Sequence, residues 1–152
     1  MIDGVKTKKL KVMCDGRGRL MEMLRNDDPL FTEFGQIYMT TTFPGVVKGW
    51  HYHLKQSDNV VCVGGMIKLV LCDLRENSKT CREINEFHIG EHNAELVHIP
   101  KGVYHGWMCI GDRTATVINI PDKVYNYTEP DEKRLPPHDN GIIDYNWHDI
   151  DR

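Results

Sequence analysis

Three histidines and one aspartate carry most of the chemistry legible in this chain. His51 and His53 lie within Gly45-x5-His51-x-His53-x4-Asp58-x6-Gly65, and Pro100-Lys101-Gly102-Val103-Tyr104-His105 follows further on. Residues two apart on a β-strand share a face, so the first two imidazoles and Asp58 are expected to converge on one pocket. Imidazole titrates near neutral pH, which suits proton transfer. The set of three nitrogens and one oxygen from His51, His53, Asp58 and His105 also suits Zn, Fe, Mn or Ni, so a divalent metal is a candidate cofactor. The two roles compete at His51, because a lone pair given to a metal cannot abstract a proton. A metal bound there passes the base role to Tyr38, Tyr104 or a bound hydroxide.

Many short strands are expected to position these groups. Alternating or β-branched stretches occur at 10–13, 36–42, 46–53, 60–63, 66–73, 84–89, 96–99, 107–110 and 114–120, with Gly or Asp turns between them. That pattern reads as a sandwich or barrel. Gly64-Gly65 suits a tight hairpin needing positive φ. Asp27-Asp28-Pro29 followed by Leu30 to Gly35 predicts one short helix, with an Asp cap, Pro at its first position and Gly as its stop. From about residue 121 the composition turns to Tyr, Asn, Glu and Pro, which predicts an arm over 121–152 that wraps the barrel and ends on Tyr145 and Trp147.

With 152 residues the chain suits one domain, 1–152. A charge of −3 and no basic stripe argue against nucleic acid, and no run of eighteen apolar residues suggests a membrane span. An anionic ligand would need local cations, which draws attention to Arg17, Lys48 and Arg75. Without an N-terminal apolar run the expected compartment is the cytoplasm. Five scattered cysteines, an odd number without a C-x-x-C pair, read as free thiols. His88, His92, His98, His138 and His148 have no motif around them and read as surface or structural residues. Trp107 reads as barrel packing.

The two spaced motifs resemble the cupin signature, which implies an all-β double-stranded β-helix, a jelly-roll barrel. The first usually ends in Glu where this chain has Asp58. Beyond it, the chain resembles the dTDP-4-dehydrorhamnose 3,5-epimerase family, in a short, divergent form of the spore-coat or surface polysaccharide type. Asp15-Gly16-Arg17-Gly18-Arg19-Leu20-Met21-Glu22 looks like its D-x-R-G-x-x-x-E, and Lys48-Gly49-Trp50-His51 sits where the family has R-G-L-H. Gln56 begins the next motif, Asp73 to Thr80 is close to D-[IL]-R-x-x-S-x-T, and Pro100 to Trp107 reads like P-x-G-x-A-H-G-F.

The resemblance implies a homodimer acting on a dTDP-sugar, with no cofactor required. The 4-keto group of such a substrate acidifies C3 and C5, so a base forms an enolate that is reprotonated from the opposite face. It implies His51 as base and His105 as its support. It nominates Arg17, Glu22, Gln36, Lys48, His53, Asp58, Arg75 and Tyr125 for substrate binding, the first two across a dimer through an exchanged strand, with Tyr125 or Tyr127 stacking on thymine.

Three departures qualify the transfer. The family's enolate-stabilising Lys falls at Asp58, its catalytic Tyr falls at Ile118 or Asn119, and the S-x-R-D segment whose Asp partners the base has no counterpart before Arg152. Losing one oxyanion donor costs about 3 kcal/mol. Three rivals to epimerisation remain: 3,4-ketoisomerisation of the same substrate class, a non-catalytic sugar-nucleotide-binding module, and a metal-dependent cupin acting on another substrate.

Overall fold

Short alternating or β-branched stretches become strands along the chain. The computed structural model describes residues 1–148. Among them are twelve strands and no helix: β1 (Lys6–Lys9), β2 (Val12–Asp15), β3 (Gly18–Met21), β4 (Tyr38–Thr42), β5 (Val47–His53), β6 (Asp58–Gly64), β7 (Met66–Asp73), β8 (Ile84–Gly90), β9 (Glu95–Ile99), β10 (Val103–Ile110), β11 (Ala115–Asn119) and β12 (Glu132–Arg134). Two five-stranded antiparallel sheets run β1-β9-β6-β11-β4 and β12-β5-β10-β7-β8, while β2 and β3 pair as a separate hairpin. This is the all-β jelly-roll barrel that the motifs predict.

Strand β7 accounts for much of the packing. Ile67, Leu69 and Leu71 are fully buried and meet Val60, Val97 and Val117 of the facing sheet. Each such side chain contributes roughly 2 kcal/mol. The alternate residues Val70 and Cys72 pack on the other face with Trp50, Ile143 and Trp147. With both faces covered, residues 69–72 of β7 read in sequence as a continuous apolar run.

The cover comes from the C-terminal segment. Its β12 adds to the edge of β5, pairing Glu132 with His53 and Arg134 with His51. Further on, Trp147 lies 4.8 Å from Trp50 between ring centroids, donates Nε1–H to the Pro137 carbonyl and accepts from Lys68 Nζ at its own carbonyl. The last four residues of the expected arm, 149–152, lie outside the described residues.

Two local expectations are corrected. The segment after Pro29 is a turn rather than a helix, since Phe31 N donates to the Asp28 carbonyl and Gly35 N already donates to Pro121. The Asp28 side chain accepts from Arg25 N and Lys8 Nζ, so it is not an N-cap, and six residues gain too few helical bonds to offset nucleation. Gly65 does adopt positive φ, at 66°, but β6 and β7 belong to different sheets. The glycine pair is a corner between sheets, not a hairpin.

One irregularity places a site residue. His105 pairs with His51, but Trp107 pairs with Lys48, so β5 carries one extra residue there. Such a bulge turns Lys48 to the same side as His51. The strands close in at this point: a Cβ on Gly106 would sit 2.8 Å from Gly49 Cα. Only glycine fits.

Candidate active site

A cavity of about 1000 Å³ opens between the sheets, large enough for a nucleotide sugar. Strands β5 and β10 of one sheet bring His51, His53 and His105 to its wall. The ring centroids of His51 and His53 lie 6.1 and 5.7 Å from that of His105. Asp58, from β6 of the facing sheet, is 1% exposed, and its Oδ2 lies 3.4 Å from Nε2 of both His53 and His105. Its Oδ1 accepts from Gln56 Nε2 and Asn119 Nδ2, both at 2.8 Å.

The expected four-residue metal set separates into three plus one. His53, Asp58 and His105 offer ligand atoms within 4.8 Å of one another, a group that does not include His51. The His51 ring instead places Nε2 3.6 Å from Glu132 Oε1, because β12 lies beside β5. Glu132 is fixed in turn by Arg134 Nε at 2.6 Å. His105 Nδ1 donates to the Val103 carbonyl at 3.2 Å, which turns its Nε2 toward Asp58.

Electrostatics suit His51 to proton abstraction. Burial and the neighbouring His105 lower its pKa to about 4, while Glu132 pulls the other way, so the ring is neutral at neutral pH. Burial lowers His105 as well, with Asp58 opposing. Burial alone would raise the Glu132 carboxyl, but Arg134 and then His51 bring it below its ordinary value.

Across the cavity, Tyr38 of β4 accepts a hydrogen bond from Asn119 Nδ2 at 3.0 Å. Burial raises its pKa, so the phenol keeps its proton at neutral pH. Lys48 Nζ reaches from β5 to Thr40 Oγ1 and the Thr41 carbonyl, each at 2.7 Å, and keeps a third N–H for another acceptor. Gln36, Tyr125 and Tyr127 line the same cavity, with Tyr125 N donating to Gln36 Oε1. Trp107, read as packing, is only 6% exposed and donates to Thr42 Oγ1, yet one side of it also lines the wall.

Other nominated residues lie elsewhere. Arg75 is not in the cavity wall; Nε and Nη2 bind both oxygens of Asp73, and Nη2 also reaches the Asp3 carbonyl. Ser78 and Thr80 donate to the same carboxylate, so the Asp73 to Thr80 motif is a structural knot. Arg17 and Glu22 lie on or just after the β2–β3 hairpin, paired with Asp15 and Arg25, and neither lines the cavity of its own chain.

Glu132 and Arg134 were missed in the sequence because they lie in a Pro-rich, charged stretch without strand periodicity. The available signal was the apolar end of that stretch, Tyr145 and Trp147, which predicts that the arm docks but not what it carries along.

A family profile described as dTDP-4-dehydrorhamnose 3,5-epimerase matches residues 1–151. The spore coat polysaccharide biosynthesis protein SpsL of Bacillus subtilis is 45% identical, over 97% of both chains. The probable low-salt glycan biosynthesis epimerase Agl13 of Haloferax volcanii is 41% identical, over 97% of this chain and 95% of the relative. Among solved structures, a dTDP sugar isomerase from Desulfovibrio desulfuricans superposes with a TM-score of 0.92 at 30% identity, covering 99% of this chain and 94% of that one. A 3,5-epimerase from Legionella pneumophila, in complex with dTDP-4-keto-L-rhamnose, gives 0.79 at 25% identity, covering 91% and 76%.

Proposed function

Because this chain belongs to the dTDP-4-dehydrorhamnose 3,5-epimerase family, we propose that it inverts C3, C5 or both of a dTDP-4-keto-6-deoxyhexose, with His51 as the base. The activity serves polysaccharide synthesis. The observation that carries this assignment is a neutral imidazole on the wall of a nucleotide-sugar-sized cavity, with Glu132 at 3.6 Å. The keto group at C4 acidifies the neighbouring C–H bonds, and His51 takes the proton as the electron pair moves onto O4. Glu132 then stabilises the imidazolium that forms, as a carboxylate beside a catalytic histidine does.

Lys48 and Arg134 are the cations on the cavity wall and suit the diphosphate, while Tyr125 and Tyr127 offer rings for the base. Arg17 and Glu22, exposed on or just after the β2–β3 hairpin and outside the cavity of their own chain, suit a role at a partner's cavity. A homodimer is supported by the exposed apolar residues Val12, Met13 and Leu20 on the same hairpin and Met39 and Phe43 at the β4 edge. Cys62, Cys72 and Cys109 are free and buried, which suits the reducing cytoplasm.

A second reading retains the substrate and adds a cation. His53, Asp58 and His105 fit a divalent metal, since His105 Nδ1 is committed to a carbonyl and its Nε2 faces a carboxylate oxygen. A cation there would polarise a substrate carbonyl. His51 lies outside that group and keeps its role as base in either case.

Incubation with dTDP-4-keto-6-deoxyglucose in D2O, followed by NMR with and without chelator, tests both readings. Deuterium at C3 or C5 that is lost in His51→Ala and insensitive to chelator supports the metal-free epimerase. Loss of exchange with chelator selects the metal reading. Migration of the carbonyl to C3 indicates ketoisomerisation, and binding without exchange a non-catalytic module.

A further inference from the structure

We propose that Tyr38 is the acid of the reaction, delivering its phenolic proton to the enolate from the sheet opposite His51. The inference rests on the epimerase reading and adds a residue to it. Inversion needs two proton-transfer groups on opposite faces of one carbon, and this cavity has opposed walls. His51 stands on β5 of one sheet and Tyr38 on β4 of the other, and both line the space between.

The hydrogen-bond network fixes the direction of the phenol. Asn119 is paired with Tyr38 across β11 and β4. Its Oδ1 accepts from Asn59 N at 3.2 Å, so its amide is oriented with both N–H groups forward. They donate to Asp58 Oδ1 at 2.8 Å and to the Tyr38 hydroxyl oxygen at 3.0 Å. An amide nitrogen accepts nothing, so the phenolic hydrogen is not used in that contact. Among the described residues it has no acceptor, and it is free to turn into the cavity.

The atoms balance without an added reactant. His51 takes the proton as the C–H bond breaks, and the enolate forms with its charge on O4. The enolate carbon then takes the Tyr38 proton on the opposite face: the O–H bond breaks, a new C–H bond forms and the C4 carbonyl returns. A phenolate and an imidazolium remain. The donated hydrogen bond from Asn119 stabilises the phenolate until water reprotonates it, which the 42% exposure of Tyr38 permits. His51 gives its proton to the same solvent.

Tyr38→Phe tests this, with the substrate in D2O and NMR resolving exchange from inversion. The expected result is at least a hundredfold loss of inverted product, while His51-dependent deuterium exchange with retained configuration persists within about tenfold of wild type. In wild type, kcat/KM falls at alkaline pH as the phenol ionises, and Tyr38→Phe abolishes that limb; Asn119→Ala, which removes a bond that favours the phenolate, moves it upward. A purely structural role would leave the limb in place. Unchanged dTDP binding and melting temperature in Tyr38→Phe establish that the fold is intact. Inversion by Tyr38→Phe within threefold of wild type overturns the proposal and leaves the role of His51 standing. Absence of any exchange in wild type overturns both.

Discussion

The imidazole of His51 and the carboxylate of Glu132 lie 3.6 Å apart only because β12, a three-residue strand from the C-terminal segment, pairs with β5. The proposed base and its carboxylate partner are thus brought together by a β-strand addition. Glu132 raises the pKa of His51 against burial and His105, so Glu132→Gln lowers it further. The acid limb of kcat/KM then moves down in pH from its wild-type position. The rate at neutral pH falls about 10- to 100-fold, because the weaker base and the unsupported imidazolium both raise the barrier. A pH profile of deuterium exchange reads both effects.

The geometry of that pair depends on tryptophan packing some distance along the chain. Trp147 is fully buried against Trp50. Trp147→Ala is expected to cost about 3–5 kcal/mol and to lower the melting temperature. It also loosens β12, so the backbone amide protons of Glu132 and Arg134 exchange faster than those of β7. Hydrogen exchange resolved by residue distinguishes this local release from global destabilisation.

The proposed diphosphate site divides the cations into two groups. Lys48→Ala and Arg134→Ala each weaken dTDP binding by about tenfold, as loss of one charge-assisted contact implies. Arg75→Ala leaves dTDP affinity within twofold, because that guanidinium is held by Asp73 outside the cavity, but it lowers stability. Calorimetric titration and thermal melting together separate the two classes.

Asp73 makes the fold acid-sensitive. Burial would raise its pKa, but hydrogen bonds from Arg75, Ser78 and Thr80 outweigh burial and hold the carboxyl well below the usual range. With the folded value depressed, its contribution is complete above the unfolded pKa of about 3.9 and is lost as pH falls through the folded value. Asp73→Asn should destabilise the protein at pH 7 by about 2 kcal/mol. Its melting temperature should fall less steeply between pH 4 and pH 2, a comparison that differential scanning calorimetry makes directly.

The barrel was legible in the sequence because its central strands carry their apolar residues in alternation or in continuous runs, as β6, β7 and β10 do. Strands β1, β3 and β12 were not, since Lys-Thr-Lys-Lys, Gly-Arg-Leu-Met and Glu-Lys-Arg are edge or hairpin segments whose pairing depends on what lies beside them. His51 and His53 were legible because residues two apart on one strand share a face, while Asp58 and His105 came with the two spaced motifs. Register between strands distant in sequence is not encoded in that spacing. It brought Glu132 to His51 and Tyr38 to Asn119, and it left Arg75 outside. The short helix failed for a related reason: its Asp cap and Gly stop are real local signals, but Lys8 and Pro121 from elsewhere in the chain take their partners.

The measurement that bears most directly on the account is the first-turnover appearance of deuterium at C3 and C5 of the 4-keto sugar in D2O at pH 7, with wild type and His51→Asn compared side by side. Wild type should incorporate deuterium rapidly, and the variant should lose at least a thousandfold of that rate with dTDP affinity retained. Equal incorporation by the two proteins would contradict the assignment of His51 as the base.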